Sequence, residues 1–363
     1  MTDTVDFLPQ WASPPGATIL DLLEERNLSR AELALQLNKA NSYVDRLVSG
    51  QIQIDARIAR GLEAALGASA SFWLKREAQY RIDLQRLESG DLTMSVSEWV
   101  RRLPTADMQR FGWIPSRISS LDQLAAACLD FFGVPDLKTW ISRYANGSAL
   151  AAFRASPTFA AQTESVAAWL RQGELVADRT STHLWNAPRF QEALLKARSL
   201  TRLHDPGQFI PELTTLCADC GVVVAIIRSP KGCPASGAAR FVSPQKALLQ
   251  LSFRYLSDDH FWFTFFHEAG HLLLHGVTKL HLEGVDASSE IEEGEANEFA
   301  ANILIPATAR TAMHALPLDG REVIRFATKL GISPGIVVGQ LQHDGVITRQ
   351  QLNNLKRRFS WRD

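Results

Sequence analysis

Apolar positions recur at helical spacing through the first third of the chain. They predict short helices over residues 18–26, 29–37, 41–50, 55–66 and 71–80. The punctuation between them is specific. Ser29 followed by Glu32 is a capping box, and Gly67 closes the fourth helix, which is read from Asp55. The first ten to fifteen residues, through Pro14-Pro15-Gly16, read as an arm. Residues 85–200 also follow helical periods, with helices predicted over 95–103, 121–132 and 157–172. Breaks are expected at Pro104, Pro115, Pro135 and Gly173. After Thr201 the pattern changes. Val222-Val223-Val224-Ala225-Ile226-Ile227 is a β-branched run expected to form a buried strand, and 239–242 and 247–252 read as two more. A helix over 259–275 follows, ending at Gly276. Then come a loop over 277–288, a helix over 290–304 with Ser289 as its cap, and a helical remainder with turns at Gly320, Gly331 and Gly345. The expected class is α+β, mostly α with a small β-sheet. The expected divisions are an all-α unit over 1–84, a helical middle region over 85–200 and a mixed domain over 201–363.

Composition narrows this little. The chain has 363 residues, 46% hydrophobic and 21% charged, with a net charge of -1. That is ordinary for a folded protein and argues against a general polyanion binder, though not against a local DNA-reading surface. No apolar run is long enough to span a bilayer, so no membrane partner is expected. The acidic start Met1-Thr2-Asp3 lacks the form of a secretory signal. Four cysteines do not make a disulfide framework. A cytoplasmic location is the resulting expectation.

The chemistry concentrates in the helix over 259–275. His267-Glu268-Ala269-Gly270-His271 puts two imidazoles one turn apart on the same side, the spacing for two ligands of one Zn²⁺, with Glu268 as general base. Phe261, Trp262, Phe263, Phe265, Phe266, Leu272, Leu273 and Leu274 say the helix is buried, and unpaired polar groups in a core are costly. A third ligand is needed. A histidine six residues after His271 is absent, because that position is Val277. His275 rotates away from the shared face and reads as structural. The helix over 290–304 offers Glu293, with Glu295 as the fallback, and Asn297 one turn beyond Glu293 to hydrogen-bond a ligand imidazole. Mn²⁺ is the alternative metal.

These residues, His267, Glu268, Gly270 and His271 followed by Glu293, Glu295, Ala296, Asn297, Phe299, Ala300, Ala301, Leu304 and Pro306, resemble the ImmA/IrrE family of metallopeptidases. The resemblance implies a gluzincin-like fold, with a small sheet over two metal-binding helices. It also implies cleavage of a protein substrate, often a transcriptional repressor, in a stress, toxin–antitoxin or phage-related circuit. The strand over 247–253 is expected to bind substrate backbone by strand addition. Arg254, Tyr255, His260 and His343 are candidates for a second oxyanion donor, with packing the competing explanation for each. Cys217 and Cys220 read as buried structural residues. Cys233 is a candidate latent zinc ligand, against the reading of an incidental loop cysteine.

Residues 29–49 have the layout of a helix-turn-helix, and the wider N-terminal stretch resembles the lambda-repressor-like (XRE) domains of HigA-type antitoxins. If it reads DNA, Lys39, Asn41, Ser42, Tyr43 and Arg46 lie at the start of the recognition helix. From Pro14 to Leu84 nine Lys and Arg balance nine Asp and Glu. A surface for homodimerisation or a partner repressor is therefore the rival use. A DNA-binding regulator whose peptidase-like domain is a sensor or scaffold is the alternative reading of the whole chain.

Overall fold

The computed structural model describes residues 14–26, 28–88, 94–145, 163–276, 280–282 and 290–361. The predicted arm before Pro14, the cap at Ser289 and residues 157–162 of a predicted helix lie outside them. The chain divides into two units, Met1–Met94 and Ser95–Asp363.

The first unit is all helical: α1 (Pro15–Glu25), α2 (Arg30–Gln36), α3 (Asn41–Val48), α4 (Ala56–Leu66) and α5 (Ala70–Glu88). The local signals act as their chemistry requires. The Ser29 side chain accepts from the Glu32 N–H, while Glu32 accepts from the Ser29 N–H. Asp55 caps α4, and Gly67 closes it in the left-handed conformation. α5 runs past the predicted end at 80. Ile19, Leu33, Val44, Leu47, Leu62 and Trp73 fill the core, with Leu28, Leu37 and Tyr43 packed on it.

The second unit is built around a sheet of β1 (Val222–Ile226), β2 (Gly237–Ser243), β3 (Lys246–Leu251) and β4 (His281–Leu282), in the order β1-β3-β2-β4. β1 runs parallel to β3, with Val222 opposite Ala247; β2 is antiparallel to both β3 and β4. β3 therefore has a partner on each side, which corrects the expectation that it binds substrate by strand addition. A central strand has no free row of backbone groups. β4 also interrupts the predicted loop over 277–288.

Residues 247–251 are all buried, because both faces of the sheet are covered. On one face lies the helix Thr163–Arg179, here α10 after α6 (Val96–Arg102), α7 (Thr105–Arg110), α8 (Leu121–Phe132) and α9 (Leu137–Trp140). The Gln250 amide donates to the Trp169 carbonyl at 2.6 Å, and the Lys246 ammonium reaches the Ala177 and Thr180 carbonyls at the helix end. The helix continues through Gly173, which was expected to break it. A Cβ there would stand 1.8 Å from Gln250 Oε1, so the glycine serves close packing rather than a turn. After α11 (Ala187–Leu200) and α12 (Pro206–Ala218), the helix α13 (Asp258–Leu274) covers the opposite face. Its Trp262, Phe265, Phe266 and Leu272 share a core with Val222, Val224, Leu249 and Leu251.

The helices α14 (Glu290–Leu304), α15 (Ala307–His314), α16 (Gly320–Leu330) and α17 (Pro334–His343) complete the unit. Gly320 begins α16, capped by Asp319, where a turn was expected. The last fifteen described residues are not helical as predicted. Beyond a short 3-10 turn at Asn353–Leu355 the chain runs extended, and Arg358 bridges to Ser257 at the start of α13. Among the described residues no helix is long and apolar enough to cross a membrane.

Candidate metal centre

α13 and α14 form the site by crossing closely. Gly270 makes this crossing work: a Cβ there would stand 3.0 Å from the Phe299 ring and 3.3 Å from the Ala296 Cα. Ala296 and Ala300, one turn apart on α14, are fully buried and keep the opposing surface low. With the helices this near, Glu293 reaches over two imidazoles of α13. His267 Nε2 lies 3.1 Å from His271 Nε2, and the Glu293 carboxylate oxygens lie 3.3 and 3.5 Å from His267 Nε2 and His271 Nε2. His267, His271 and Glu293 are the one group among the described residues with metal-ligand chemistry and spacing.

The hydrogen bonds behind these groups define which ring atoms face inward. His267 Nδ1 pairs with Asn297 Oδ1 at 3.0 Å, and an amide oxygen only accepts, so Nδ1 carries the proton. His275 Nε2 lies 2.9 Å from Glu295 Oε2, and His275 Nδ1 lies 2.9 Å from His271 Nδ1. With His275 donating to the carboxylate, its Nδ1 accepts from His271 Nδ1–H. Both inward Nε2 atoms therefore present lone pairs, as does the Glu293 carboxylate. Three acceptors facing each other repel unless a cation lies among them. Their spacing of 3.1 to 3.5 Å matches the roughly 3.3 Å between ligands of a tetrahedral zinc with bonds of about 2.0–2.1 Å. Burial holds the His271 imidazole below its ordinary pKa against the pull of Glu293, keeping it in the neutral form that binds metals. The residues fit the metal.

Glu268 is fully buried beside this centre. Its carboxylate lies under the first residue of β2, where a Cβ on Gly237 would stand 2.6 Å from Glu268 Oε1 and from Thr264 Cγ2. Sequence reasoning passed over Gly237, because a contact spanning thirty residues leaves no local periodicity. It also read His275 as structural. Helical rotation does carry His275 away from His267, but leaves it against the outer nitrogen of His271. Glu295, the fallback ligand, is the partner of His275.

Cys233 is not among the clustered donors. It is buried and its thiol is pushed up to about 12, so it stays protonated. Cys128, Cys217 and Cys220 are also buried and free of disulfides. His343 is exposed at the end of α17, whereas Arg254, Tyr255 and His260 line a cleft beside the first half of α13. In the first unit Lys39, Asn41, Ser42 and Arg46 are exposed at the start of α3, and Tyr43 is half-buried beneath the Lys39 ammonium. Asp45 pairs with Arg30 at 3.1 Å, so its charge is partly offset.

Two histidines and a glutamate on crossed helices, with a second glutamate beside them, define a metallopeptidase-like hydrolase site. Comparison with known families agrees: residues 222–341 match the IrrE N-terminal-like domain, a peptidase family, and residues 19–73 match the helix-turn-helix family. The chain thus joins an XRE-type helix-turn-helix domain to an IrrE-like peptidase domain. No curated protein and no solved structure gave a significant match.

Proposed function

We propose that this protein is a zinc-dependent peptidase that cleaves a regulatory protein, a transcriptional repressor, in a cytoplasmic stress, toxin–antitoxin or phage-related circuit. The observation that carries this reading is the convergence of three lone-pair donors from His267, His271 and Glu293 beside the buried Glu268. Manganese is the alternative occupant of such a histidine–carboxylate site. When bound, zinc acts as a Lewis acid and lowers the pKa of a water it holds to about 7. His267 and His271 would hold the metal through Nε2, oriented by Asn297 and His275, together with the Glu293 carboxylate. Glu268 takes a proton from water onto its carboxylate and delivers it to the departing amine. Gly237 and Thr264 confine that carboxylate from above.

The test combines metal analysis with cleavage of helix-turn-helix repressors encoded beside this gene. Glu268→Gln is expected to keep one metal per chain and to lose cleavage by about 10²–10⁴-fold. Equal cleavage by the variant and the wild type refutes the mechanism. The exposed Lys39, Asn41, Ser42 and Arg46 favour a second reading, a DNA-binding regulator in which the metal domain acts as a sensor. On that reading Glu268→Gln leaves regulation of a reporter promoter unchanged.

A further inference from the structure

The cleft beside α13 has features that the hydrolytic centre does not use. It is a narrow cleft with an enclosed volume of only about 10 Å³, and Ser236, Arg254, Tyr255, Ser257, His260 and Thr264 contribute its polar lining. One wall is the turn after β3, which is left-handed at both ends, with φ of 53° at Phe253 and 50° at Leu256. Neither residue favours that conformation, so the surroundings must hold it. Phe253 stacks on Phe261 with centroids 4.1 Å apart, and the Leu256 carbonyl accepts from the Phe359 N–H at 2.8 Å. The held turn presents Arg254 and Tyr255 outward. Tyr255 is 50% exposed and lies against the His260 ring at 4.3 Å.

The rim of this cleft is cationic. The Arg254 guanidinium lies over the Tyr255 ring, and Arg358 donates to the Tyr255 carbonyl. Arg349 and Arg358 both act electrostatically on His260, which burial first of all holds below its ordinary pKa. Lys356 is matched by Asp259 at 2.5 Å. Among the described residues no carboxylate pairs with Arg254, Arg349 or Arg358. Two exposed guanidinium groups, Arg254 in the lining and Arg358 on the Tyr255 carbonyl, at a held polar cleft are an arrangement for an anionic group.

The cleft shares α13 with the hydrolytic centre: Thr264 lines the cleft and, like Glu268, lies close to Gly237. His260, Thr264 and Glu268 follow each other at one-turn intervals along α13. At about 1.5 Å per residue, Thr264 and His260 lie roughly 6 and 12 Å along the helix from Glu268. An extended peptide advances about 3.3 Å per residue, so that span corresponds to two to four residues. We infer that the cleft is a specificity subsite for an acidic side chain, Asp or Glu, two to four residues from the scissile bond of the substrate polypeptide. Arg254 and Arg358 supply the charge. This inference rests on the peptidase reading, and its test separates the two.

Full-length Glu268→Gln protein loaded with Zn²⁺ is applied to an array of extended peptides with each residue type at each position. The wild type is separately given a mixture of proteome-derived peptides, and its cleavage sites are read by mass spectrometry. The expected result is preference for Asp or Glu at one position, on the order of tenfold over Asn or Gln, in both retention and cleavage. Arg254→Glu should invert that preference toward Lys and Arg, while Arg254→Lys should keep it, with metal content unchanged. Acid-selective retention without cleavage by the wild type upholds the subsite and overturns the peptidase reading. Cleavage without acidic preference, or with a preference that Arg254→Glu leaves intact, overturns the subsite. Neither retention nor cleavage overturns both.

Discussion

At the scale of residues, the site depends on groups that never touch the metal position. His275 and Glu295 fix the proton on the outer nitrogen of His271 as Asn297 does for His267. His275→Ala is expected to weaken zinc affinity about 10–100-fold, read by competition with a chromophoric chelator. Glu295→Gln should shift it in the same direction by less, since the amide still accepts. Unchanged affinity in both would remove the relay. Gly237 acts by absence of a side chain. Gly237→Ala brings a methyl to 2.6 Å from Glu268 Oε1, so zinc content should stay full while turnover falls about 10²-fold. Normal turnover in that variant would show that the carboxylate has room to move. Helical spacing places His267 with His271 and Glu293 with Asn297, and the motif between the histidines marks Glu268, while the choice of Glu293 over Glu295 needed the packing of two helices. Gly237 was not legible in the sequence, because its neighbours come from another element.

At the scale of elements, α13 must start in a defined place for its histidines to meet α14. Asp258 supplies that anchor. It is fully buried, accepts from the Ser333 hydroxyl at 2.5 Å and from the Arg357 N–H at 2.9 Å, and so ties the C-terminal strap and the start of α17 to the helix. Burial raises its pKa above 3.8, and the hydrogen bonds from Ser333 and Arg357 offset this only in part. The sign follows: the folded state prefers the protonated acid. Its share of stability is complete below the unfolded value of 3.8 and is lost as pH rises through the higher folded value. Asp258→Asn cannot ionise. Melting curves from pH 3 to 8 should therefore show the variant gaining on the wild type as pH rises, and a constant difference would contradict the assignment. Such ties also mark where sequence reading stopped. Strand runs and helix caps are local and were legible down to Ser29 and Gly67. The parallel pairing that makes β3 central, the packing reason for Gly173, and the extended strap after α17 are settled by partners distant in the chain.

At the scale of the whole molecule, two cores with no residue in common accompany two chemistries, and each can be tested without disturbing the other. Between Pro14 and Leu84 the charges balance, and across Met1–Met94 acids outnumber bases, so any DNA affinity must come from locally exposed cations such as those at the start of α3. Pairing of Asp45 with Arg30 reduces the repulsion this helix would offer to phosphates. If Lys39 and Arg46 each neutralise one phosphate, the logarithm of affinity falls with the logarithm of salt, and each cation contributes a slope of about 0.9. Lys39→Ala and Arg46→Ala should each reduce the slope by about one and weaken binding across all sequences. Asn41→Ala should instead relax preference at one base position, as expected for a side chain that reads an adenine edge. Glu268→Gln should leave these curves unchanged, and Lys39→Ala should leave hydrolysis of an isolated peptide unchanged. Binding without a salt slope would assign the face of α3 to a protein, either a second copy or a partner repressor. Sedimentation of the Arg46→Glu variant, alone and with that repressor, would then identify which.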